Sequence, residues 1–193
     1  MSGLSFLESS FFPGWLSRRM VMKIYRCRIC GEAYVGNGKP VNCPFCGAPE
    51  KFIILAKNWK EDMISTLSDV SERNLKKALE LEIETSGFYR CAARVAMEED
   101  VKAMFAALAK IEAEHASTMR KMLGLPRSYT SEHEGRCYPT DAQNLAEARR
   151  KEELCVTFYE GSAKQAAEKR VREVLAVLTE IESEHLAGCT KRM

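Results

Sequence analysis

Glu82, Glu112 and His115 return seventy positions later as Glu152, Glu182 and His185. Each half of this repeat carries a lone Glu and then, thirty residues on, a Glu-x-x-His. Phe88-Tyr89 returns as Phe158-Tyr159, and Asn74-Leu75 as Asn144-Leu145, at the same offset. Helical periodicity repeats apolar spacing but not a set of carboxylates and imidazoles, so coincidence does not account for the pattern. Carboxylate with imidazole suits a non-haem iron or manganese pair, and zinc can enter the same ligands. The arrangement that uses them is a four-helix bundle, with one Glu from each of two helices and a Glu-x-x-His from each of the other two.

Helix geometry selects among the acidic residues. Positions three apart share a face, so Glu112 with His115, and Glu182 with His185, can grip one metal pair. Glu114 and Glu184 turn about 200° from the motif Glu, toward solvent, as Glu80 and Glu84 do from Glu82. Glu153, about 100° from Glu152, is the nearest rival. Phe105 and Leu108 before Glu112, and Leu175 and Leu178 before Glu182, mark the inward face. Tyr89 and Tyr159 each follow a candidate Glu by seven residues, two turns along one face. Their hydroxyls are expected beside the site as outer hydrogen-bond donors, with ordinary aromatic packing as the alternative. Four buried carboxylates without a cation repel one another and lose hydration. Two divalent ions nearly balance them, and this argues for metal over a set of solvated surface charges.

Cys27-x-x-Cys30-Gly and Cys43-Pro-Phe-Cys46-Gly lie twelve residues apart. Two such turns present four sulfurs tetrahedrally, and the glycine after each pair permits the tight turn. Iron there makes a one-electron carrier; zinc makes a staple. Tyr25, Tyr34 and Phe45 are candidates to shield an iron centre. Cys91, Cys137, Cys155 and Cys189 have no metal spacing, which fits a reducing compartment better than a disulfide framework. Cys155 falls near the expected metal face, with a buried structural thiol as its default reading. His133 and Cys137 read as parts of a solvated loop rather than a third metal site.

The elements that must position these groups follow from the pattern. Residues 1–21 are apolar and aromatic, lack an early positive charge, and read as a tail or an upstream start, with Met22 beginning the compact part. Residues 22–56 are rich in Gly and Pro and too few to hold a core without a staple such as a metal. Residues 57–70 read as a connector. Four helices follow, at about 71–97, 100–123, 141–167 and 169–187, with Ser71 as the first N-cap and Gly124 and Gly188 as terminators. Short links make the first pair and the second pair antiparallel neighbours, and the long polar link over 125–140 can cross the bundle once. The chain of 193 residues has a formal charge of +2, so no pull toward nucleic acid is implied. No apolar run approaches the ~20 residues that cross a bilayer.

On these motifs the chain resembles the rubrerythrins. Tyr25 to Phe52 resembles their shortened rubredoxin-type domain, and the four helices resemble their ferritin-like domain; together the two cover about residues 22–190. The rubredoxin domain usually comes last, whereas here it comes first, as in the reverse rubrerythrins. The fold class expected is mainly α, a ferritin-like four-helix bundle (71–190) with a small N-terminal rubredoxin-like β/loop metal domain. The resemblance implies a non-haem di-iron peroxidase of oxidative-stress defence that reduces hydrogen peroxide to water. Its electrons would come from NAD(P)H through a rubredoxin reductase or similar donor and an Fe(Cys)4 centre. By position, Glu82 and Glu152 would be terminal ligands, Glu112 and Glu182 bridges, and His115 and His185 would complete one iron each. Many rubrerythrins place a further carboxylate three residues before the terminal Glu of the third helix. Arg149 stands there, and the shifted register offers Cys155, so six ligands are expected rather than seven.

A homodimer, a cytoplasmic location, and no nucleic-acid or membrane partner complete the expectation. A head-to-tail dimer is one way to bring the two metal sites close. Two rival readings use the same residues. One is a ferroxidase or iron-handling protein, which assembly size would distinguish. The other is a non-catalytic metal-binding module whose ribbon holds zinc.

Overall fold

Three short strands form the N-terminal ribbon. Lys23–Cys27 (β1), Ala33–Gly36 (β2) and Ile53–Leu55 (β3) pair antiparallel in the order β2-β1-β3, with Tyr25 opposite Tyr34 and Cys27 opposite Ile53. The structure is a computed structural model and describes residues 22–60, 64, 66–129 and 135–192. The readings of residues 1–21 and of His133 lie outside the described residues. Apart from the four cysteines, the ribbon buries only Tyr25, Ile29, Ala48 and Ile53. That is too little apolar surface to hold a fold alone, which makes the cysteine cluster and the docking onto the helices its supports.

The helices are Asp69–Val95 (α1), Glu99–Met122 (α2), Asp141–Gln165 (α3) and Lys169–Thr190 (α4). This is the mainly α fold expected, a bundle with a small antiparallel sheet before it. The Ser68 hydroxyl caps α1 by accepting from Ser71 N at 3.3 Å, and Thr140 caps α3 through Gln143 N at 3.3 Å. The cap is thus Ser68 rather than Ser71; Ser71 is buried and its hydroxyl donates to Glu168. Gly124 takes a left-handed φ of +66°, as a helix terminator does. Gly188 does not, and α4 runs past it to Thr190, because the buried Cys189 continues the apolar face. Glycine permits a left-handed turn without compelling one.

Links of three residues, 96–98 and 166–168, make α1/α2 and α3/α4 antiparallel neighbours, and α1 also packs on α3. Each hairpin ties down the other. Glu168 accepts from Ser68 N at 2.6 Å, while Asp141 accepts from Met97 N and Glu98 N at 3.1 and 3.0 Å. The chain leaves the end of α2 and reaches α3 beside the start of α2, so the link spans that helix. Tyr138 secures its far end, donating from N to Asn144 Oδ1 at 2.8 Å and accepting from Asn144 Nδ2 at 2.9 Å.

One expectation fails here. Cys91 of α1 and Cys137 of the link are joined as a disulfide. The two lie 46 residues apart, and spacing along a chain says nothing about which loop will lie over which helix. The apolar interior forms two clusters. One runs from the ribbon (Cys46, Ile53) into the bundle (Leu79, Met119, Leu175); the other, at the far end, holds Phe88, Tyr89, Phe105 and Cys189.

Candidate metal centre

Each helix of the bundle aims one carboxylate inward. Glu82, Glu112, Glu152 and Glu182 are each no more than 1% exposed, and His115 is fully buried. The His115 Nδ1 lies 2.8 Å from Glu112 Oε2, 3.0 Å from Glu182 Oε1 and 3.7 Å from Glu82 Oε1. The His185 Nδ1 lies 2.9 Å from Glu182 Oε2, 3.0 Å from Glu112 Oε1 and 3.9 Å from Glu152 Oε2. Glu112 and Glu182 therefore sit between the two imidazoles, with Glu82 at one end and Glu152 at the other. The six residues make two overlapping groups of four that could each hold an ion, sharing Glu112 and Glu182.

The electrostatics say what these groups call for between them. Burial, then Glu182 and Glu112, push the Glu82 carboxyl well above its usual range; burial, Glu112 and Glu182 do the same to Glu152. Burial also raises the cost of ionising Glu112 and Glu182, but the two histidines outweigh it and hold both low. Both imidazoles rise well above their usual range, because the carboxylates outweigh the burial that opposes their charge. The His115 Nε2 lies 3.0 Å from the Cys46 carbonyl, which can only accept, so that nitrogen carries the hydrogen. In the neutral ring that metal ligation requires, Nδ1 is then a lone pair facing carboxylate oxygens. Glu82 Oε2, both oxygens of Glu112, His115 Nδ1, Glu152 Oε2 and Glu182 Oε1 are all buried without a hydrogen-bond partner. Acceptors facing acceptors in a dry interior call for cations, and two divalent ions fit this donor set.

Tyr89 donates to Glu152, and Tyr159 donates to Glu82. Each tyrosine therefore serves the carboxylate of the opposite hairpin, not the Glu seven residues before it. Both phenols are held well above their usual pKa, by burial first and then by Glu152 for Tyr89 and Glu82 for Tyr159. The Tyr89 ring stacks on Phe105 with centroids 5.6 Å apart. Arg149 lies outside, paired with Glu153 at 2.9 Å, so neither faces the cluster. Cys155 is buried, with its thiol pushed up by burial and by Glu82, on the side of α3 that the carboxylates share. Glu80, Glu84 and Glu184 are exposed, while Glu114 is half-buried and pairs with Lys121.

The four ribbon cysteines form a second buried cluster, with Cys27 and Cys46 Sγ 3.7 Å apart and Cys30 and Cys43 Sγ 3.8 Å apart. Ile29 N and Glu32 N point at Cys27 and Cys30 sulfur at 3.4 and 3.5 Å. Gly31 and Gly47 adopt φ of +82° and +77°, which the knuckle turns require. Tyr25 is buried here, whereas Phe45 is 37% exposed.

The ribbon docks directly over His115. Besides the Cys46 contact, Lys121 Nζ donates to the Cys30 carbonyl at 3.0 Å, and Arg170 donates to the Arg28 and Ile29 carbonyls. The two clusters are thus neighbours within one chain, joined by the Cys46–His115 hydrogen bond. Nothing in the sequence pattern marks Lys121 and Arg170 as docking residues.

The family model for Rubrerythrin matches residues 73–191, well over half of the chain. Reverse rubrerythrin-1 of Clostridium acetobutylicum is 30% identical over 114 residues, which are 53% of this chain and 63% of that relative. The chain thus covers less than two thirds of that relative's length. No solved structure gives a significant match. Among the described residues no helix is long and apolar enough to cross a membrane.

Proposed function

The chain belongs to the rubrerythrin family, and from that premise we propose that it is a non-haem di-iron peroxidase reducing hydrogen peroxide to water. The observation that carries this reading is the junction. A four-thiolate site and a carboxylate–imidazole site are linked inside one chain by the Cys46 carbonyl and His115 Nε2, 3.0 Å apart. When bound, iron on the four thiolates supplies electrons one at a time, and the iron pair supplies the two that peroxide reduction consumes.

The chain's own groups do the rest. Glu112 and Glu182 would be shared by both ions, while Glu82 with His115 and Glu152 with His185 would each complete one. Tyr89 and Tyr159 hold a proton at the outer carboxylates and fix their orientation. Phe88 and Phe105 exclude bulk water at the Tyr89 end. Of the six candidate ligands His185 is the most open, its side chain 10% exposed, which makes its edge the route for a small oxidant. An NAD(P)H-linked reductase is the proposed electron source.

The test uses full-length protein prepared with iron supplied. A visible thiolate-to-ferric band should bleach on reduction and return when hydrogen peroxide is added. Glu112→Ala or Glu182→Ala should keep the band and lose the peroxide-driven return. Undiminished peroxide turnover in either variant refutes the assignment.

A further inference from the structure

Outside the two clusters, one pair of nucleophilic side chains stands apart. Six of the eight cysteines are no more than 4% exposed. Cys91 and Cys137 are the two that solvent reaches, both half-buried. They are bonded with Cα atoms 5.6 Å apart, well inside the range a disulfide accepts without moving the backbone.

Their surroundings differ. Cys137 lines a cavity of about 1110 Å³ between α1, α3 and the chain that enters α3, and Cys91 does not. Arg136, next in sequence to Cys137, lines the same cavity with Lys76 and Lys151. Glu80, Glu84 and Glu147 line it too, but Lys151 takes Glu84 at 2.8 Å and Arg150 takes Glu147 at 2.6 Å. Lys76 in turn pairs with Glu72 at 2.6 Å, so Arg136 is the cation next to Cys137, and a neighbouring cation favours thiolate, the form that attacks peroxides and disulfides.

Both cysteines also sit on supports other than the bond itself. Cys91 stands in α1, four residues short of its end. Cys137 is followed by Tyr138, whose N and O are both held by Asn144 of α3. Two reduced thiols held on these supports stay within reach of one another, so the bond can reclose without a search through chain conformations.

We propose that Cys91 and Cys137 are a redox-active pair that hydrogen peroxide closes and a cellular dithiol reopens, giving the chain a second peroxide-consuming site that uses no metal. The Cys137 thiolate attacks one peroxide oxygen; the O–O bond breaks, a sulfenic acid forms, and hydroxide leaves and is protonated to water. The Cys91 thiol then attacks the Cys137 sulfur; the S–S bond forms, the S–O bond breaks, and a second water leaves. Two thiols give up two electrons, and one peroxide becomes two waters. A reducing dithiol restores both thiols by exchange through a mixed disulfide. Cys137 packs against the cluster that holds Phe88, Tyr89 and Cys189, so the state of the bond bears on the packing behind Tyr89.

The inference stands independently of the metal-site reading, and its test reads thiols rather than turnover. Full-length protein is reduced with dithiothreitol, freed of it, exposed to one equivalent of hydrogen peroxide, quenched with an alkylating reagent and mapped by mass spectrometry. Both thiols should be lost together as the Cys91–Cys137 peptide, with the other six cysteines unchanged. In Cys91→Ser a dimedone adduct should appear on Cys137; in Cys137→Ser labelling of Cys91 should be roughly tenfold slower. Equilibration against graded glutathione buffers should open and close the bond reversibly. A bond that stays closed at every glutathione ratio is a fixed staple and overturns the proposal. So does a reduced pair that peroxide leaves untouched, or dimedone capture at Cys91 in preference to Cys137.

Discussion

Replacing Tyr89 with Phe removes one oxygen and leaves no cavity, so it isolates a single hydrogen bond. Tyr89 and Glu152 are both fully buried, and the phenol donates to the carboxylate. With metal bound, Glu152 is ionised, and a buried hydrogen bond to a charged group contributes about 1.5–3 kcal/mol. In the metal-free protein burial and the neighbouring carboxylates push the Glu152 carboxyl well above its usual range, toward its neutral form. The same contact is then between neutral groups and contributes about 1 kcal/mol. Tyr89→Phe should therefore cost roughly twice as much in the metal-loaded protein as in the metal-free one. A loss of about 2 kcal/mol lowers Tm by roughly 4–8 °C in a domain of this size. Tyr159→Phe should behave alike through Glu82, and the double variant should be near additive, since the two hydroxyls serve different carboxylates. Thermal unfolding by circular dichroism, with and without metal, measures all four differences. An equal cost in the two states, or a loss under about 0.5 kcal/mol with metal bound, refutes the assignment of these hydroxyls to ionised carboxylates.

The raised groups of the metal-free cluster set a pH trend. Glu82, Glu152, His115 and His185 hold protons when folded that the unfolded chain has released, so stability falls as pH rises through their folded range. Glu112 and Glu182 are held low, and their contribution is lost only on acidification below the ordinary carboxylate range. Metal-free Tm should thus fall from about pH 6.5 to 9 while metal-loaded Tm stays flatter; a metal-free Tm that climbs over this window contradicts the cluster's protonation. Gly31→Ala and Gly47→Ala both force a left-handed φ on a side chain, at about 1–2 kcal/mol each. Only at Gly47 does the new Cβ come within 3.2 Å of Ile181, against 3.9 Å from Trp59 at Gly31. Gly47→Ala alone should loosen the ribbon from α4, read as faster amide exchange at the docking face; equal exchange in the two variants would count against the docking contact.

The duplicated Glu and Glu-x-x-His set was legible in the chain because helix periodicity converts spacing directly into a shared face. The two C-x-x-C-Gly knuckles were legible for a similar reason, since a metal knuckle is local and its glycines sit in sequence where the turn needs them. Glu112 and Glu182 fall in both four-residue groups, but a bridging role for them was implied by the family resemblance alone and not by spacing. Tertiary structure decided what the pattern could not carry. It sent Tyr89 to Glu152 and Tyr159 to Glu82, a crossing that exists only once the hairpins are packed. It seated Cys46 on His115, with Lys121 and Arg170 holding the ribbon there, and no motif in the sequence marks either residue. It also bonded Cys91 to Cys137, a pairing set by where the α2–α3 link lies. Contacts within a helix or a knuckle are encoded by spacing; contacts between elements depend on packing angles and on which loop covers which face, and those arise only when the whole core closes.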